Sequence, residues 1–169
     1  MNDQNQLRLD AETKVGEVDH KAELRLWLRL LTCTTLIEAE VRRRLRREFD
    51  ETLPRFDLMA QLERVDSGMT LGEVSKRMMV SAGNVTSLVD RLVKAGLLER
   101  RPAPNDRRSQ LIRLSRHGHE HFRRMAAAHE AWVAELLADL RDKDIAATME
   151  RLAKVKESVS AAIARGKKG

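Results

Sequence analysis

The chain has 169 residues and a formal net charge of +6, with 32 Lys and Arg against 26 Asp and Glu. This length suits one domain, or one domain with an extension. The single cysteine excludes an intramolecular disulfide and a metal site built from several cysteines. No apolar run approaches the roughly 20 residues of a membrane span. Residues 1–19 lack a signal-peptide core, so we expect a cytoplasmic protein with no membrane partner.

The excess positive charge is concentrated in residues 69–116. That segment holds ten Lys or Arg and four Asp or Glu, and the rest of the chain holds 22 of each sign. A generally basic soluble protein would spread its charge evenly. The distribution therefore predicts an anionic partner, nucleic acid above all, for this segment.

Two helices are predicted before the basic segment, after a polar and unpatterned stretch over residues 1–19 that we interpret as a flexible arm. Apolar residues recur at three and four from Lys21 to about Phe49, which predicts a long helix. It ends in a basic run, residues 42–47, that by default is a solvated helix face, with anion binding as the alternative. Pro54 opens the second helix.

The basic segment begins with a pair of helices. Thr70 and Glu73 have the spacing of a capping box, in which each side chain satisfies a backbone amide of the first turn. This helix is predicted to break near Met79, where Ser81 can cap the next one. Gly96 is placed to end that next helix. Its buried stripe consists of Val85, Leu88, Val89, Leu92 and Val93.

The opposite face of this second helix carries small and hydrogen-bonding side chains, and we call it the recognition surface. Asn can read adenine, Ser and Thr can read several bases, and small residues leave room for the thymine methyl group. A major-groove recognition helix needs such a face, although an ordinary amphipathic helix would turn it to water. The recognition surface comprises Ser81, Gly83, Asn84, Thr86 and Ser87. The candidates for phosphate contacts are Lys76, Arg77 and Arg91.

Two short strands, residues 97–101 and 110–115, are predicted after the helix. The loop between them is stiffened by two prolines and ends in Arg107 and Arg108, which suits a wing that reaches phosphates or a narrow minor groove. We expect at least one of these arginines to enter the minor groove. Asp90 and Asp106 are candidates to hold Arg91 or a wing arginine in place.

Two further helices complete the chain. Ser115 can cap the first of them, residues 142–144 are predicted to interrupt the pattern, and the last helix carries a narrow apolar stripe from Ile145 to Ile163. A stripe of this kind needs a partner helix. The first and the last two helices would bury their stripes most simply against copies of themselves, so we expect a homodimer.

Several motifs of the basic segment resemble the signature of the MarR transcriptional regulators, and the resemblance covers roughly residues 22–160. It implies a mainly α fold with a small β-wing: a winged helix-turn-helix over residues 53–116, and a helical dimerisation region over residues 20–52 and 117–165. It also implies a ligand-responsive repressor that binds a pseudo-palindromic DNA operator as a homodimer. The matching motifs are residues 83–86, 88–92, 96–97, 105–109 and 114–115.

The resemblance further implies an effector pocket built by the first, second and fifth helices. Residues 25–31 and 53–57 look most like regulators of aromatic-acid catabolism, including those that answer hydroxycinnamoyl-CoA thioesters. We therefore expect an aromatic acid or its CoA thioester as the effector, because arginines suit a carboxylate or the CoA phosphates. The predicted pocket residues are Arg25, Trp27, Leu28, Arg29, Leu31, Cys33, Arg42, Arg43, Phe56, Met59 and Met125.

Zinc and oxidants are two other signals to which such a regulator could respond. His117, His119 and His121 alternate along a helix, where only His117 and His121 share a face, and zinc needs further ligands. We interpret these histidines as solvated and predict no metal site. In the peroxide-sensing branch of the family, tyrosine hydroxyls support a reactive thiol, but this chain has no Tyr. For Cys33 we favour packing or pocket lining.

Catalysis is not predicted. The sequence has no nucleophile, base and acid in the order or spacing of a known active site, and no P-loop or dinucleotide fingerprint. We therefore expect no enzyme activity and no cofactor. Besides the zinc- or redox-responsive regulator, the remaining alternative is a winged helix that serves purely as a protein-interaction module.

Overall fold

A computed structural model describes residues 20–103 and 106–166, with side chains outside residues 103–109. Within these residues six helices and three strands make the mainly helical fold with a small sheet that was predicted. The flexible arm proposed for residues 1–19 lies outside the described residues. The elements are α1 Lys21–Phe49, α2 Leu53–Glu63, β1 Met69–Thr70, α3 Leu71–Met78, α4 Ala82–Lys94, β2 Leu98–Ala103, β3 Asp106–Leu114, α5 Arg116–Leu136 and α6 Asp142–Gly166.

The chain divides into two compact units, Met1–Glu38 and Ala39–Gly169. The described part of the first unit is mostly the N-terminal portion of α1, most of whose large apolar side chains are exposed. They are Leu24, Leu26, Trp27, Leu28, Leu31 and Leu36. Among the described residues, no helix has both the length and the apolar content that a membrane span requires.

The hydrophobic core lies in the second unit, where the end of α1 and the elements from α2 to α5 each bury apolar side chains. Full burial of one such side chain contributes about 1.5–3 kcal/mol. The helical members of this core follow the helical periodicity of the sequence, and Met69 and Ile112 come from the sheet. The largest fully buried side chains are Leu45, Leu58, Met59, Leu62, Met69, Val74, Val85, Val89, Leu92, Ile112 and Met125.

The sheet is antiparallel and has β3 at its centre, in the order β1-β3-β2. β2 and β3 form the predicted hairpin, with Leu98 opposite Leu114 and an irregularity between Pro102 and Ala103. Both strands reach further towards the hairpin loop than expected. β1 was not predicted, because a two-residue strand exists only through its pairing with β3.

The start of α6 differs from the sequence-based expectation. Residues 142–144 were predicted to interrupt the helical pattern, but Asp142 is the first residue of α6 and the break falls at residues 137–141. Two aspartates in the first turn favour the helix because their charge faces its positive end. Asp144 also forms an ion pair with Arg141, with 2.7 Å between Oδ2 and Nε. None of the residues Asp142–Gly166 is buried.

Candidate nucleic-acid interface

The N-terminus of α3 has the capping box that the sequence predicted. The Thr70 backbone N–H donates to Glu73 Oε2 at 2.8 Å, and the Glu73 N–H donates to Thr70 Oγ1 at 3.3 Å. The Thr70 hydroxyl also donates to Glu73 Oε2, at 2.9 Å, and the bonds from the Thr70 backbone and hydroxyl hold the pKa of the Glu73 carboxyl below its ordinary value. Met69 is buried on β1 just before this cap, so the start of α3 is fixed to the sheet.

The corner between α3 and α4 falls where the sequence predicted a break. Met79 has φ 55° and ψ 35°, the left-handed conformation that stops a helix. Ser81 then caps α4, with its hydroxyl oxygen accepting from the Asn84 N–H at 3.5 Å. Val85, Val89 and Leu92 of α4 are buried, so the opposite side of the helix is turned outward.

The recognition surface is accessible. Ser81, Gly83, Asn84 and Ser87 are exposed, whereas Thr86 is half-buried and donates its hydroxyl to the Ala82 carbonyl at 2.9 Å. A Cβ added to Gly83 would meet nothing within 4 Å. Internal packing therefore does not require glycine here, although glycine weakens a helix. The missing side chain instead lets another surface approach the backbone of α4.

Both helices of this pair carry basic side chains, and Arg91 lines one cavity with Asn84 and Ser87 of the recognition surface. Lys76, Arg77 and Arg91 are exposed. Within the part of the chain that the structure describes, no ion pair closer than 4 Å holds Lys76 or Arg91. Both charges are therefore available to an anionic partner.

An ion pair joins α4 to the wing. The Asp90 carboxylate of α4 contacts the Arg100 guanidinium of β2. Asp90 was a candidate to hold Arg91 or a wing arginine, and it pairs with a β2 arginine that the sequence did not single out. Glu99 contacts Arg113 across the hairpin and Arg101 at 3.2 Å. The hydrogen bond from Arg113 lowers the pKa of the Glu99 carboxyl.

The tip of the wing carries the remaining candidates for DNA contact. Arg107 and Arg108 belong to β3 by backbone, but their side chains lie outside the described residues, as does that of Asp106. Entry of Arg107 or Arg108 into a minor groove stays a prediction.

One serine links the end of α4, the wing and α5. Ser115 Oγ donates to the Gly96 carbonyl at 2.6 Å and accepts from the Gly118 N–H at 2.9 Å, which caps α5. Gly96 has a φ of +72°, as its predicted helix-ending role requires. A Cβ added to Gly118 would lie 2.0 Å from the Leu97 carbonyl oxygen, so only glycine allows this close approach.

The predicted effector residues of the first unit are all exposed. Leu28, Arg29 and Cys33, together with Thr32, line a cavity of about 290 Å³. Thr32 donates its hydroxyl to the Leu28 carbonyl at 2.8 Å. The other members are Arg25, Trp27 and Leu31.

The predicted effector residues of the second unit lie in two different environments. Phe56, Met59 and Met125 belong to the core, and the two methionines have no exposed surface. Arg43 pairs with Glu40 at 2.6 Å. Arg42 lines a cavity of about 200 Å³ whose other residues are Arg46, Glu51, Thr52, Leu53 and Pro54.

A buried polar cluster was missed in the sequence. Glu51, only 4% exposed, has its carboxylate 3.0 Å from Arg55 Nε and 3.4 Å from His121 Nε2. In the sequence Glu51 follows an aspartate in a polar turn and gives no sign of burial. The cluster becomes visible only when the α1–α2 link and α5 are brought together.

The three alternating histidines occupy different surroundings. His117 and His121 share a helix face as predicted, with their rings stacked at 6.4 Å between centroids. The interpretation of all three as solvated is wrong, because His121 is 14% exposed and His119 Nδ1 lies 2.5 Å from Glu63. Among residues 20–103 and 106–166 no three His, Cys, Asp or Glu side chains are grouped in a way that could hold a metal ion.

Comparisons with known proteins agree with this architecture. The family model described as "MarR family" matches residues 50–109. The transcriptional activatory protein BadR of Rhodopseudomonas palustris is 29% identical over 146 residues, which are 83% of each chain.

Two solved structures extend the likeness. A MarR family transcriptional regulator from Silicibacter pomeroyi is 32% identical, with a TM-score of 0.72, over 85% of this chain and 99% of its own. A mutant MarR from E. coli, complexed with operator DNA, has a TM-score of 0.69 and 24% identity over 82% of this chain and 99% of its own, and shares the fold. With the family model, the S. pomeroyi match establishes that this chain belongs to the MarR family of transcriptional regulators.

Proposed function

We propose that the chain binds double-stranded DNA through its winged helix and represses transcription until a small effector releases it. The observation that carries the proposal is the open backbone of α4 at Gly83, beside the exposed Asn84 and Ser87, which line one cavity with the basic side chain of Arg91. Small side chains allow the helix to enter a major groove, and amide and hydroxyl groups can hydrogen-bond to base edges. The operator complex of the E. coli protein is consistent with this use of the shared fold.

Phosphates are the expected partners of the free cations. No described carboxylate neutralises Lys76, in the last turn of α3, or Arg91 of α4, which lines a cavity with Asn84 and Ser87. Each contact with a phosphate releases counterions and makes the affinity dependent on salt. The Asp90–Arg100 pair supports simultaneous binding by helix and wing, because it ties the base of the hairpin to α4.

A homodimer supplies the second copy of this surface. α6 has no buried residue, yet it carries an exposed apolar stripe consisting of Ile145, Met149, Leu152, Val159 and Ile163. Exposed apolar stripes on long helices favour association, because burial of apolar surface contributes about 25 cal/mol of favourable free energy per Å². A two-fold axis would place two winged helices on the two halves of a pseudo-palindromic operator.

An aromatic acid or its CoA thioester is the proposed effector. The predicted pocket residues Arg29 and Arg42 line two separate small cavities, in which a guanidinium lies beside apolar groups. Guanidinium groups bind carboxylates and phosphates well, and apolar walls suit an aromatic ring. Titration calorimetry with aromatic acids and their CoA thioesters tests the assignment, and the absence of binding to all of them contradicts it.

Release from DNA requires a difference in affinity between two conformations. An effector can weaken operator binding only if it binds more tightly to a dimer whose winged helices are wrongly spaced. The reverse preference would make the effector strengthen operator binding. The name of BadR, a transcriptional activatory protein, favours activation as the second candidate function.

DNase footprinting of the region upstream of the protein's own gene tests these points together. We expect two protected half-sites about one helical turn apart, overlapping the promoter. Addition of the effector should abolish the protection. A footprint upstream of the promoter, with increased transcription, would establish activation instead. Without any footprint on this or on selected DNA, the protein-interaction alternative would replace DNA binding.

A further inference from the structure

The corner between α3 and α4 carries an unusual side chain for its backbone. Met79 adopts the left-handed conformation, with φ 55°, which residues other than glycine, asparagine and aspartate rarely adopt. Its side chain is 93% exposed, more than any other large apolar side chain in the described part of the protein. Neither feature stabilises the folded chain, so both point to a contact outside it.

The position of Met79 is well defined. The Met79 N–H donates to the Ser75 carbonyl. The Val80 N–H also donates to that carbonyl, at 3.3 Å, and Ser75 Oγ donates to the Val80 carbonyl at 2.7 Å. Ser75 therefore ties the corner at three points. Met79 is held two residues before Ser81, the residue that caps α4 and begins the recognition surface.

The surroundings of Met79 select the kind of partner. Lys76 and Arg77 are exposed on the last turn of α3, and the first residues of α4 are small and polar. Next to Met79, Val80 is 38% exposed. It lines a cavity of about 380 Å³ with three other apolar residues and with Asn84, Ser87 and Arg91 of α4; the apolar ones are Pro54, Met78 and Leu88. Amide, hydroxyl and guanidinium groups beside apolar side chains suit a DNA groove, which offers base edges, methyl groups and phosphates.

The major groove offers one apolar group on its base edges, the 5-methyl group of thymine. A thioether on a flexible, unbranched chain adapts its shape to such a group. We propose that Met79 contacts a thymine methyl group in each operator half-site and thereby determines part of the sequence preference. This inference rests on the proposed function, because it requires that the recognition surface enters the major groove.

Replacement of thymine by deoxyuridine tests the contact, since it removes only the methyl group. The full-length protein first selects a duplex from random-sequence DNA, and each thymine is then replaced in turn. We expect the wild type to bind about fifteenfold more weakly when one thymine in each of the two half-sites is replaced, because each lost methyl contact weakens binding about fourfold. Met79→Gln, with similar length but a polar end, should bind the two duplexes equally.

Met79→Leu is the matched control, because it keeps an apolar side chain and should keep the preference for thymine. Thermal unfolding of each variant checks that the corner still folds, and Met79→Asn, which tolerates the left-handed conformation, provides a second polar variant. The inference is overturned if the wild type shows no preference at any thymine, or if Met79→Gln and Met79→Asn retain it. If no duplex is selected at all, the proposed function itself fails.

Discussion

Asp90 and Arg100 form an ion pair that joins the recognition helix α4 to the first strand of the wing. Both side chains are partly solvated, so the pair contributes only about 0.2–1 kcal/mol to stability. Its larger effect is geometric, because it limits the angle between hairpin and helix. Asp90→Asn should therefore weaken operator binding while the melting temperature changes little. A gel-shift titration together with thermal unfolding measures both quantities.

Glu150→Gln provides the control for Asp90→Asn. It removes a more exposed ion pair, in which the Glu150 carboxylate lies 2.8 Å from Lys154 Nζ on α6, and should leave operator affinity unchanged. Equal affinities for Asp90→Asn and the wild type would show that the pair does not orient the wing.

Gly118→Ala should destabilise the fold. The added Cβ would lie 2.0 Å from the Leu97 carbonyl oxygen, so the backbone must shift, and forced overpacking typically costs about 1–3 kcal/mol. Urea denaturation followed by circular dichroism measures the loss. Gly72→Ala, whose Cβ meets nothing within 4 Å, should be neutral or slightly stabilising; comparable destabilisation of the two variants would argue against this contact.

Asn84→Ala and Arg108→Ala should affect DNA binding in different ways. Loss of the Asn84 amide removes a group that can read a base, so the preferred sequence should change. Loss of the Arg108 charge should weaken binding to all sequences and reduce the slope of log affinity against log salt by about 0.9 for each lost phosphate contact. Fluorescence anisotropy at several salt concentrations separates the two effects. Wild-type affinity and specificity in both variants would exclude this surface.

Leu152→Glu should dissociate the proposed dimer. Leu152 lies in the apolar stripe of α6, where a buried carboxylate without a partner is strongly unfavourable. Sedimentation velocity should show a monomer, and operator affinity should fall because two half-sites can no longer be bound together. Lys154→Gln, on the charged side of α6, should remain dimeric. A Leu152→Glu dimer of wild-type stability would place the interface elsewhere.

The Arg44 network should make stability depend on acid pH. Arg44, 12% exposed, donates to Glu135 on α5 and to Glu40 on its own helix. The hydrogen bonds from Arg43 and Arg44 lower the pKa of Glu40 from 4.5 to about 2. Because the folded-state pKa is the lower one, this contribution is complete above pH 4.5 and is lost as the pH falls towards 2.

Glu40→Gln removes that titrating group. Its thermal stability should therefore decline less steeply than that of the wild type between pH 4.5 and 2, as differential scanning calorimetry can measure. Parallel declines in the two proteins would mean that Glu40 is not bound this way in solution.

Local signals predicted the winged helix well. The Thr70 capping box, the Ser81 cap and the glycine at position 96 act within a few residues, so their chemistry can be read in the sequence. The buried stripe of α4 could likewise be predicted from its own periodicity, without knowing which elements pack against it. The family resemblance supplied the order of the elements and was confirmed by the matches to the MarR family.

Features that depend on distant residues were not predictable in this way. β1 forms only because Met69 meets Ile112. Glu51 is buried only because α5 brings His121 to it. From its place in a polar turn, its carboxylate would be expected to be exposed. Met59 and Met125 have no exposed surface, which a helical apolar pattern cannot distinguish from a pocket wall.

The link that Ser115 makes between the end of the α4 segment and α5 has a mechanical consequence. Its hydroxyl binds the carbonyl at the end of the α4 segment and the first turn of α5, and its N–H donates to the Leu97 carbonyl at 3.0 Å. Because these hydrogen bonds connect the two helices directly, a rotation of α5 would also move α4. An effector that tilts α5 would therefore reorient the winged helix as a unit and leave its internal structure unchanged.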